Sequence, residues 1–373
     1  MLEIKEVTRP EELRQFADLA DIIYKNDPNW VAPIQLLERA IIKGFNKPQN
    51  PQNPSTLLLA REGKNLRGRI GVGIDSALNQ SMGTREGYIT LFECVNDYPT
   101  AEALFDRATG WLRERGMDLV RGPNSKTGDD NYRGLLIEGF DGPPYFMNPY
   151  NPDYYPEFFD RYGFTKDADF FAFHIDLARY PADLYGETIK KAMQRFAVRI
   201  DKVGFFRLER DITDIKTVID ESWPEDWDDL LPPSREDLLF MSKKLRWIMP
   251  MDGMLIARSG DRPVGFVIAM PDYNQALKPL NGRLLPGGIL KFLWYKRKIT
   301  AARIMVLFVV PEFRRKVVAE ALFHRLIAAG KGQRYTRAEA SVIGEKNQVM
   351  MQTVQAVGGR PYRTYRTYKK ELS

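Results

Sequence analysis

Residues 303–323 read Arg303-Ile304-Met305-Val306-Leu307-Phe308-Val309-Val310-Pro311-Glu312-Phe313-Arg314-Arg315-Lys316-Val317-Val318-Ala319-Glu320-Ala321-Leu322-Phe323. Ile304 to Val310 is a continuous apolar run of the length of a buried strand. Pro311 ends it, and a basic turn follows through Arg314, Arg315 and Lys316. From Val317 the spacing becomes helical, with Val318, Leu322 and Leu326 four apart and Ala321 beside them. Strand, basic turn and helix together aim the unpaired amides of a helix start at an anion.

Working outward, the chain repeats itself. MLIARSGDRPVGFVIAMPD from Met254 aligns with LLLAREGKNLRGRIGVGID from Leu57, placing Ala257 on Ala60 and Gly260 on Gly63. Each reads as two strands joined by a turn, Thr56–Arg61 with Gly68–Asp75 in the first copy. A buried strand at Gly87–Val95 and an amphipathic helix at Ala101–Arg115 answer to the opening stretch. Strand, helix and strand then follow in each copy: Met117–Gly122, Tyr155–Tyr162 and Asp169–Leu177, against Tyr335–Ile343, Asn347–Val357 and Pro361–Glu371. Upstream, a strand at Leu2–Val7, a helix at Glu11–Tyr24 and a short helix at Leu36–Ile42 parallel a strand at Phe205–Glu209 and a helix at Ile212–Trp223. This is an internal duplication. It predicts two α/β domains with mixed sheets, at residues 1–185 and 186–373.

The order of elements and the turn resemble the GNAT superfamily of acyl-CoA-dependent N-acyltransferases. The family's pyrophosphate motif is a strand ending in V-x-P, then Arg or Gln, two residues, Gly, one residue, and Gly or Ala. Val309, Pro311, Arg314 and Ala319 match it, and Val317 stands where the first Gly belongs. A glycine there lets the backbone approach the phosphates without a Cβ; a β-branched residue narrows the loop. The later family motif, an Asn opening a helix that Gly-Phe closes, is met by Asn347 and Gly358, with Gly359 in place of Phe. Val354 occupies the place where many members carry a tyrosine acid.

The resemblance implies a tandem GNAT fold with acetyl-CoA or a longer acyl-CoA as co-substrate in the second half. Its cofactor-binding residues would be Phe308, Val309, Val310, Arg314, Arg315, Lys316, Val317, Val318, Ala319 and Asn347. The backbone of Phe308–Val310 would polarise the thioester carbonyl. In the first half, Asn96-Asp97-Tyr98-Pro99 replaces the basic turn, and Asp97 would repel a pyrophosphate, so no CoA is expected there.

Composition bounds the rest. Hydrophobic residues are 44% and charged residues 28% of 373, a globular profile. No stretch reaches the roughly 18 uninterrupted apolar residues of a membrane span. The N-terminus lacks an apolar signal region. A single cysteine, Cys94, cannot form an intrachain disulfide and suits a reducing compartment, so the expected location is cytoplasmic. Two histidines and one cysteine offer little for a metal site or a Ser–His or Cys–His nucleophile; no metal is expected, and His174 and His324 read as structural. The net charge of +6 is compatible with acyl-CoA, phospholipid headgroups, an anionic substrate or RNA.

Two insertions break the symmetry of the halves, and inserted loops on a rigid scaffold often carry function. The first, Pro123–Tyr150, gathers Asn124, Ser125, Asp129, Asp130, Asn131, Tyr150 and then Asn151, Tyr154 and Tyr155. It reads as a substrate-binding loop or as a packed, capped one. The second, Lys278–Thr300, mixes Leu285, Ile289, Leu290, Leu293 and Trp294 with lysines and arginines. Three readings fit it: a peripheral membrane contact, a cover over an acyl or pantetheine channel, or packing against the neighbouring half.

Acyl transfer to an amine needs a base for the amine proton. Glu93, in the apolar run Tyr88–Val95, is the candidate, since burial raises a carboxyl pKa; the alternative is a structural carboxylate satisfied by the Asn124–Tyr150 loop. If the strand alternates regularly, Glu93 shares a face with Ile89 and Leu91. Trp227, in the acidic and aromatic cluster Trp223–Asp229, is a candidate for binding the acceptor. The sequence thus points to an N-acyltransferase acting on a small-molecule or peptide amine. An aminoacyl-tRNA-dependent transferase of the Fem type, the one reading that involves nucleic acid, and a non-catalytic GNAT-fold binding protein stand as alternatives.

Overall fold

The computed structural model describes residues 1–45, 53–124, 133–180, 182–225, 227–245, 251–285, 287–314, 316–332 and 334–372. The chain divides into two compact units. The first comprises residues 1–170, 273–298 and 363–373, and the second residues 171–272 and 299–362.

In chain order the first unit opens with β1 (Leu2–Glu6), α1 (Pro10–Ile23), α2 (Gln35–Phe45), β2 (Ser55–Glu62), β3 (Asn65–Ile74) and α3 (Ser76–Met82). It continues with β4 (Glu86–Cys94), α4 (Tyr98–Arg113), β5 (Leu119–Gly122), β6 (Leu135–Glu138), α5 (Tyr155–Tyr162) and β7 (Thr165–Asp176), whose last residues enter the second unit. The second unit holds α6 (Ala182–Arg195), β8 (Val198–Lys202), α7 (Leu208–Ser222), α8 (Arg235–Leu245), β9 (Met254–Ser259) and β10 (Arg262–Pro271). Two helices, α9 (Asn274–Leu277) and α10 (Gly288–Lys296), belong to the first unit. The chain then gives β11 (Ala301–Val309), α11 (Val318–Gly332), β12 (Arg337–Gly344), α12 (Gln348–Ala356) and β13 (Arg360–Glu371).

In the first unit the sheet runs β1-β2-β3-β4-β5-β13, with β6 also on β13. Its strands bury both faces by alternation. Leu57 and Leu59 pack with Phe16, Ile42 and Phe45 of α1 and α2, while Leu58 and Ala60 pack with Leu104, Phe105 and Phe159 of α4 and α5. The second unit orders its sheet β8-β9-β10-β11-β12-β7, with α7 and α11 contributing Ile215, Val218, Leu322 and Phe323 to its core.

The mixed α/β architecture follows the sequence reading, and the boundary differs. Instead of one cut at 185/186, two later segments join the first unit. The C-terminal strand does so because β13 pairs antiparallel with β5, Tyr368 opposite Gly122, and with β6. The inserted segment does so because its inner side chains dock there. Tyr273 meets Phe146 edge-on at 5.5 Å, Asn274 donates to Pro144 O at 2.8 Å, and the Gln35 amide donates to Gly282 O at 3.1 Å.

One expected strand is absent. Phe205–Arg207 forms a single 3-10 turn that runs into α7, and the strand pairing with β9 is Val198–Lys202. The apolar pair Phe205-Phe206 is misleading as a core signal, for Phe206 is fully exposed.

Candidate functional site

Two regions gather the residues that chemistry requires, one in each unit.

In the second unit, β11 and β12 pair in parallel from Ala301 opposite Arg337 to Ile304 opposite Ala340. Beyond this β11 continues alone on that side, and Met305–Phe308 are only partly buried. A bulge places the extra residue at Met305, between the pairs Ala269–Ile304 and Ile268–Val306. The strands therefore split open at their C-terminal ends, where the turn leads into α11.

The turn is held tightly. Phe313 and Lys316 donate backward to Val310 O and Phe313 O at 2.9 and 3.0 Å. Val317 then adopts φ +64°. This is the left-handed region that a β-branched residue enters at a cost of roughly 1–2 kcal/mol. The backbone at the position of the motif's first glycine is thus one that glycine adopts without strain. The Ala321 amide bonds Val317 O at 3.0 Å, so the amides of Val318–Glu320 lie in the first turn, where no intrahelical acceptor exists. Val318 is buried against β10 at Gly265, where a Cβ would come within 3.2 Å of Val318 Cγ1. A glycine at 265 is what allows this approach of helix to sheet.

The side chains are disposed less simply. Arg314 donates through Nε to Val309 O (3.2 Å) and through a terminal nitrogen to Ser222 O (3.3 Å), tying the turn to the end of α7. Lys316 Nζ is 3.5 Å from Glu312, and Arg315 lies outside the described residues. The Val310 amide donates to Val264 O at 3.0 Å. Since successive amides alternate along a strand, the Val309 amide faces the opposite edge, toward the split.

Phe308 lies in an aromatic group with Trp223 (6.4 Å, stacked), Trp227 (6.0 Å, edge-on) and Phe266 (5.7 Å, stacked). A cofactor candidate and an acceptor candidate therefore meet. Asn347 caps α12, its side chain accepting from the Met350 amide at 3.1 Å. Val354 is fully buried. This split, the left-handed turn and the amides of the first helical turn fit a phosphate-bearing cofactor, with the Val317 side chain narrowing the approach.

In the first unit β4 and β5 pair only from Glu86 opposite Leu119 to Tyr88 opposite Arg121. The helix start that follows is filled by the chain itself. Asp97 caps α4, accepting from the Thr100 amide at 3.2 Å and the Thr100 hydroxyl at 2.5 Å. The hydroxyl bond is the main reason its pKa is lowered.

Regular alternation fails in β4. Leu91 and Phe92 together oppose Ile70, and Leu91 has φ +53°. The bulge flips the end of the strand. Ile89, Phe92 and Cys94 face α4 and α5, while Tyr88 and Leu91 face α1 and α2. Glu93 consequently joins Leu91's side without sharing that of Ile89, as regular alternation would require.

There Glu93 enters a cluster. Its Oε2 accepts from the hydroxyls of Tyr155 (2.7 Å) and Tyr24 (3.0 Å), and Oε1 is 3.8 Å from Arg69. Arg69, itself fully buried, also lies 3.5 Å from Glu38 and donates to Phe16 O at 2.6 Å. One guanidinium thus serves two carboxylates. Burial pushes the Glu93 carboxyl up to about 6, against the opposing pull of Arg69 and the two tyrosines. Burial also raises both tyrosine hydroxyls well above their ordinary range, with Glu93's charge adding to it.

Beside Tyr24 opens a cavity of about 260 Å³, lined by Asp27, Phe140, Tyr150, Asn151, Asp153 and Tyr154 among others. Tyr150 donates to Asp27 at 2.8 Å, and Tyr24 stacks on Trp30 at 5.0 Å. Asn151 pins the loop by bonding Leu136 N and O, and Tyr154 donates to Cys94 O at 2.9 Å. The structure thus brings Glu93, Tyr150, Asn151, Tyr154 and Tyr155 together. Asn124 is buried at the β4–β5 split, its amide donating to Ile89 O. Ser125, Asp129, Asp130 and Asn131 lie outside the described residues.

Sequence reasoning missed Tyr24, Trp30, Asp27 and Arg69. Arg69 carried a signal, being a charge inside the strand pattern Leu66–Ile74. His324 Nδ1 lies 3.0 Å from the Tyr180 hydroxyl.

Comparison with known proteins adds lineage to this geometry. Residues 212–358 match the acetyltransferase (GNAT) family model. Protein YghO of Escherichia coli K12 is 28% identical, with 97% of this chain and 93% of that protein aligned. A bacterial ceramide synthase of Caulobacter vibrioides is 26% identical over 100% of this chain and 98% of its own length. Among solved structures, a tandem GNAT protein from the clavulanic acid biosynthesis pathway superimposes with a TM-score of 0.60 at 12% identity, covering 100% of this chain and 99% of that one. A GCN5-related N-acetyltransferase from Sphaerobacter thermophilus gives 0.55 at 12% identity, covering 100% and 96%.

Proposed function

We propose that this chain, whose residues 212–358 match the GNAT family model and whose fold resembles a tandem GNAT protein, is an acyl-CoA-dependent N-acyltransferase acting on a long-chain lipid amine. The left-handed turn at Val317, the position of the motif's first glycine, is the observation that carries the acyl-CoA assignment. The lipid acceptor rests on the full-length relationship to the ceramide synthase, whose product is by its chemistry an N-acylated long-chain amino alcohol.

In the reaction the amine nitrogen bonds to the thioester carbonyl carbon, the carbon–sulfur bond breaks, and the amine gives up a proton. Acyl-CoA supplies the activated carbonyl. The second unit's part is to hold the phosphates at the amides of Val318–Glu320 and to offer the Val309 amide to the carbonyl oxygen, and the amine proton passes to water. In the first unit, Glu93 is assigned to proton transfer with a ligand of the cavity beside Tyr24. With a pKa of about 6 it is ionised at neutral pH yet basic enough to take a proton. Tyr150, Asn151, Tyr154, Tyr155 and Asn124 are assigned to that first-unit cluster, and Trp227 to the aromatic group beside Phe308 in the second unit. The first unit is assigned no CoA, since Asp97 holds its helix start with a carboxylate.

One observation favours a second reading, a non-catalytic binding protein. Val354, buried where many family members have an acidic tyrosine, has no proton for a leaving thiolate.

The test is to incubate the protein with palmitoyl-CoA or acetyl-CoA and a long-chain amino alcohol. Thiol release and N-acylated product are followed together, and melting temperature is recorded with each CoA. Product formation together with a CoA-dependent melting shift supports the reading. A melting shift without turnover for any acyl-CoA selects the binding protein. No shift with any CoA removes the cofactor assignment and makes aminoacyl-tRNA the next donor to try.

A further inference from the structure

We propose that the outward face of α10 is a docking surface for an anionic lipid bilayer. A helix on a globular protein ordinarily turns its apolar stripe inward. Here the arrangement is reversed. Ile289, Leu290, Leu293 and Trp294 recur at i, i+1, i+4 and i+5, one face of the helix, and they are 49–74% exposed. Phe292 points the other way and packs on Tyr273 at 5.9 Å. The helix is thus anchored from behind while its apolar side faces solvent.

Three further observations extend the patch. Leu285, just before the helix, is 68% exposed. Leu36 and Leu37, at the start of α2, are 70% and 55% exposed, and the neighbouring Gln35 bonds Gly282 at the base of the same segment. Charge then chooses the occupant. Residues 278–300 contain Lys278, Arg283, Lys291, Lys296, Arg297 and Lys298 and no acidic residue. Lys291, Arg297 and Lys298 are exposed, with Lys298 Nζ 3.4 Å from the Trp294 ring centre. Apolar side chains ringed by lysine and arginine, with an indole among them, match a bilayer interface carrying anionic headgroups.

The mode is surface attachment. A nine-residue helix is about 13 Å long, well short of the hydrocarbon core, and no described helix is long and apolar enough to cross a membrane. α10 would lie flat, its leucines at acyl-chain depth and its cations at the phosphates. This inference stands on the surface alone and holds whether or not the chain acylates an amine.

The experiment is co-sedimentation of the purified full chain with vesicles, without any acyl-CoA or amine. Vesicles of phosphatidylcholine alone are compared with vesicles containing phosphatidylglycerol. Binding to the anionic vesicles is expected, weakening as salt rises. Leu290→Glu combined with Leu293→Glu should reduce it more than tenfold. Lys291→Ala and Arg297→Ala should each reduce it about fivefold. Melting temperatures should match the parent protein, since these side chains are exposed. Absence of binding to anionic vesicles at low salt overturns the proposal, as does undiminished binding of the double variant. Self-association that Leu290→Glu abolishes, with no vesicle binding, would make the patch an interface between copies and overturn it equally.

Discussion

The Tyr155 hydroxyl stands between two partners, 2.7 Å from Glu93 Oε2 and 2.7 Å from the Cys94 amide nitrogen. It accepts from the amide and donates its own proton to the carboxylate, so the backbone of β4 fixes the side chain that β4 itself carries. Tyr155→Phe removes a bond that favours the ionised carboxylate. The Glu93 pKa should therefore rise above about 6, readable by titrating that carboxyl in the parent and the variant. The loss of two buried hydrogen bonds should lower stability by about 1–3 kcal/mol in denaturant unfolding. An unmoved pKa would show that the Tyr155 hydroxyl does not set the Glu93 charge state.

Glu93 also makes stability depend on pH. Its folded pKa of about 6 exceeds the ordinary 4.5, so between these values the folded form holds the proton more tightly than the unfolded one. Stability from this group is greatest in acid and falls as pH rises through the window, by about 2 kcal/mol. Unfolding free energies at pH 4.5 and 7 should show that decline in the parent protein. The Glu93→Gln variant, which has nothing to titrate there, should show about 2 kcal/mol less of it.

Val317→Gly should relieve the left-handed strain and remove the side chain from the phosphate approach. The strain relieved, roughly 1–2 kcal/mol, is partly offset by the added chain entropy of glycine, roughly 0.5–1 kcal/mol, so a net gain of no more than about 1.5 kcal/mol is expected. Affinity for CoA should increase, readable as a larger CoA-dependent melting shift than the parent shows. Weaker CoA binding in Val317→Gly would argue that the phosphates do not lie at this turn.

Arg303 and Glu339 are both fully buried, 3.9 Å apart and joined through Ser341, whose hydroxyl bonds each of them. Arg303→Met removes the guanidinium 3.9 Å from Glu339, which keeps the Ser341 and Tyr362 hydroxyls. Removing one partner of such a buried pair costs about 3–5 kcal/mol. The loss should appear in thermal unfolding. The double variant Arg303→Met with Glu339→Leu should recover part of it.

What the sequence alone determined is the local and the periodic. The apolar run Ile304–Val310, its stop at Pro311 and the helical spacing after Val317 specify strand, turn and helix by short-range physics, and the repeat from Leu57 to Met254 shows the plan occurring twice. The resemblance to the GNAT family rested on that order of elements, and the turn around Val317 holds its backbone left-handed even though the residue disfavours it. The tyrosine-rich loop was also legible, since so many hydroxyls beside Asn and Asp mark a loop built on hydrogen bonds.

Only the tertiary structure decided where Glu93 points, because the bulge at Leu91 shifts the side-chain alternation by one residue and no pattern of residue types announces it. It alone brought Tyr24 and Arg69 to that carboxylate, across sequence distances that no local rule spans. It alone returned β13 and the 273–298 segment to the first unit, since strand pairing and apolar docking are satisfied by whichever edge or surface the folded chain leaves open. And it alone turned the leucines of α10 outward. Their spacing fixes that they share a face, but the direction of that face is set by Phe292 and Tyr273 packing behind it.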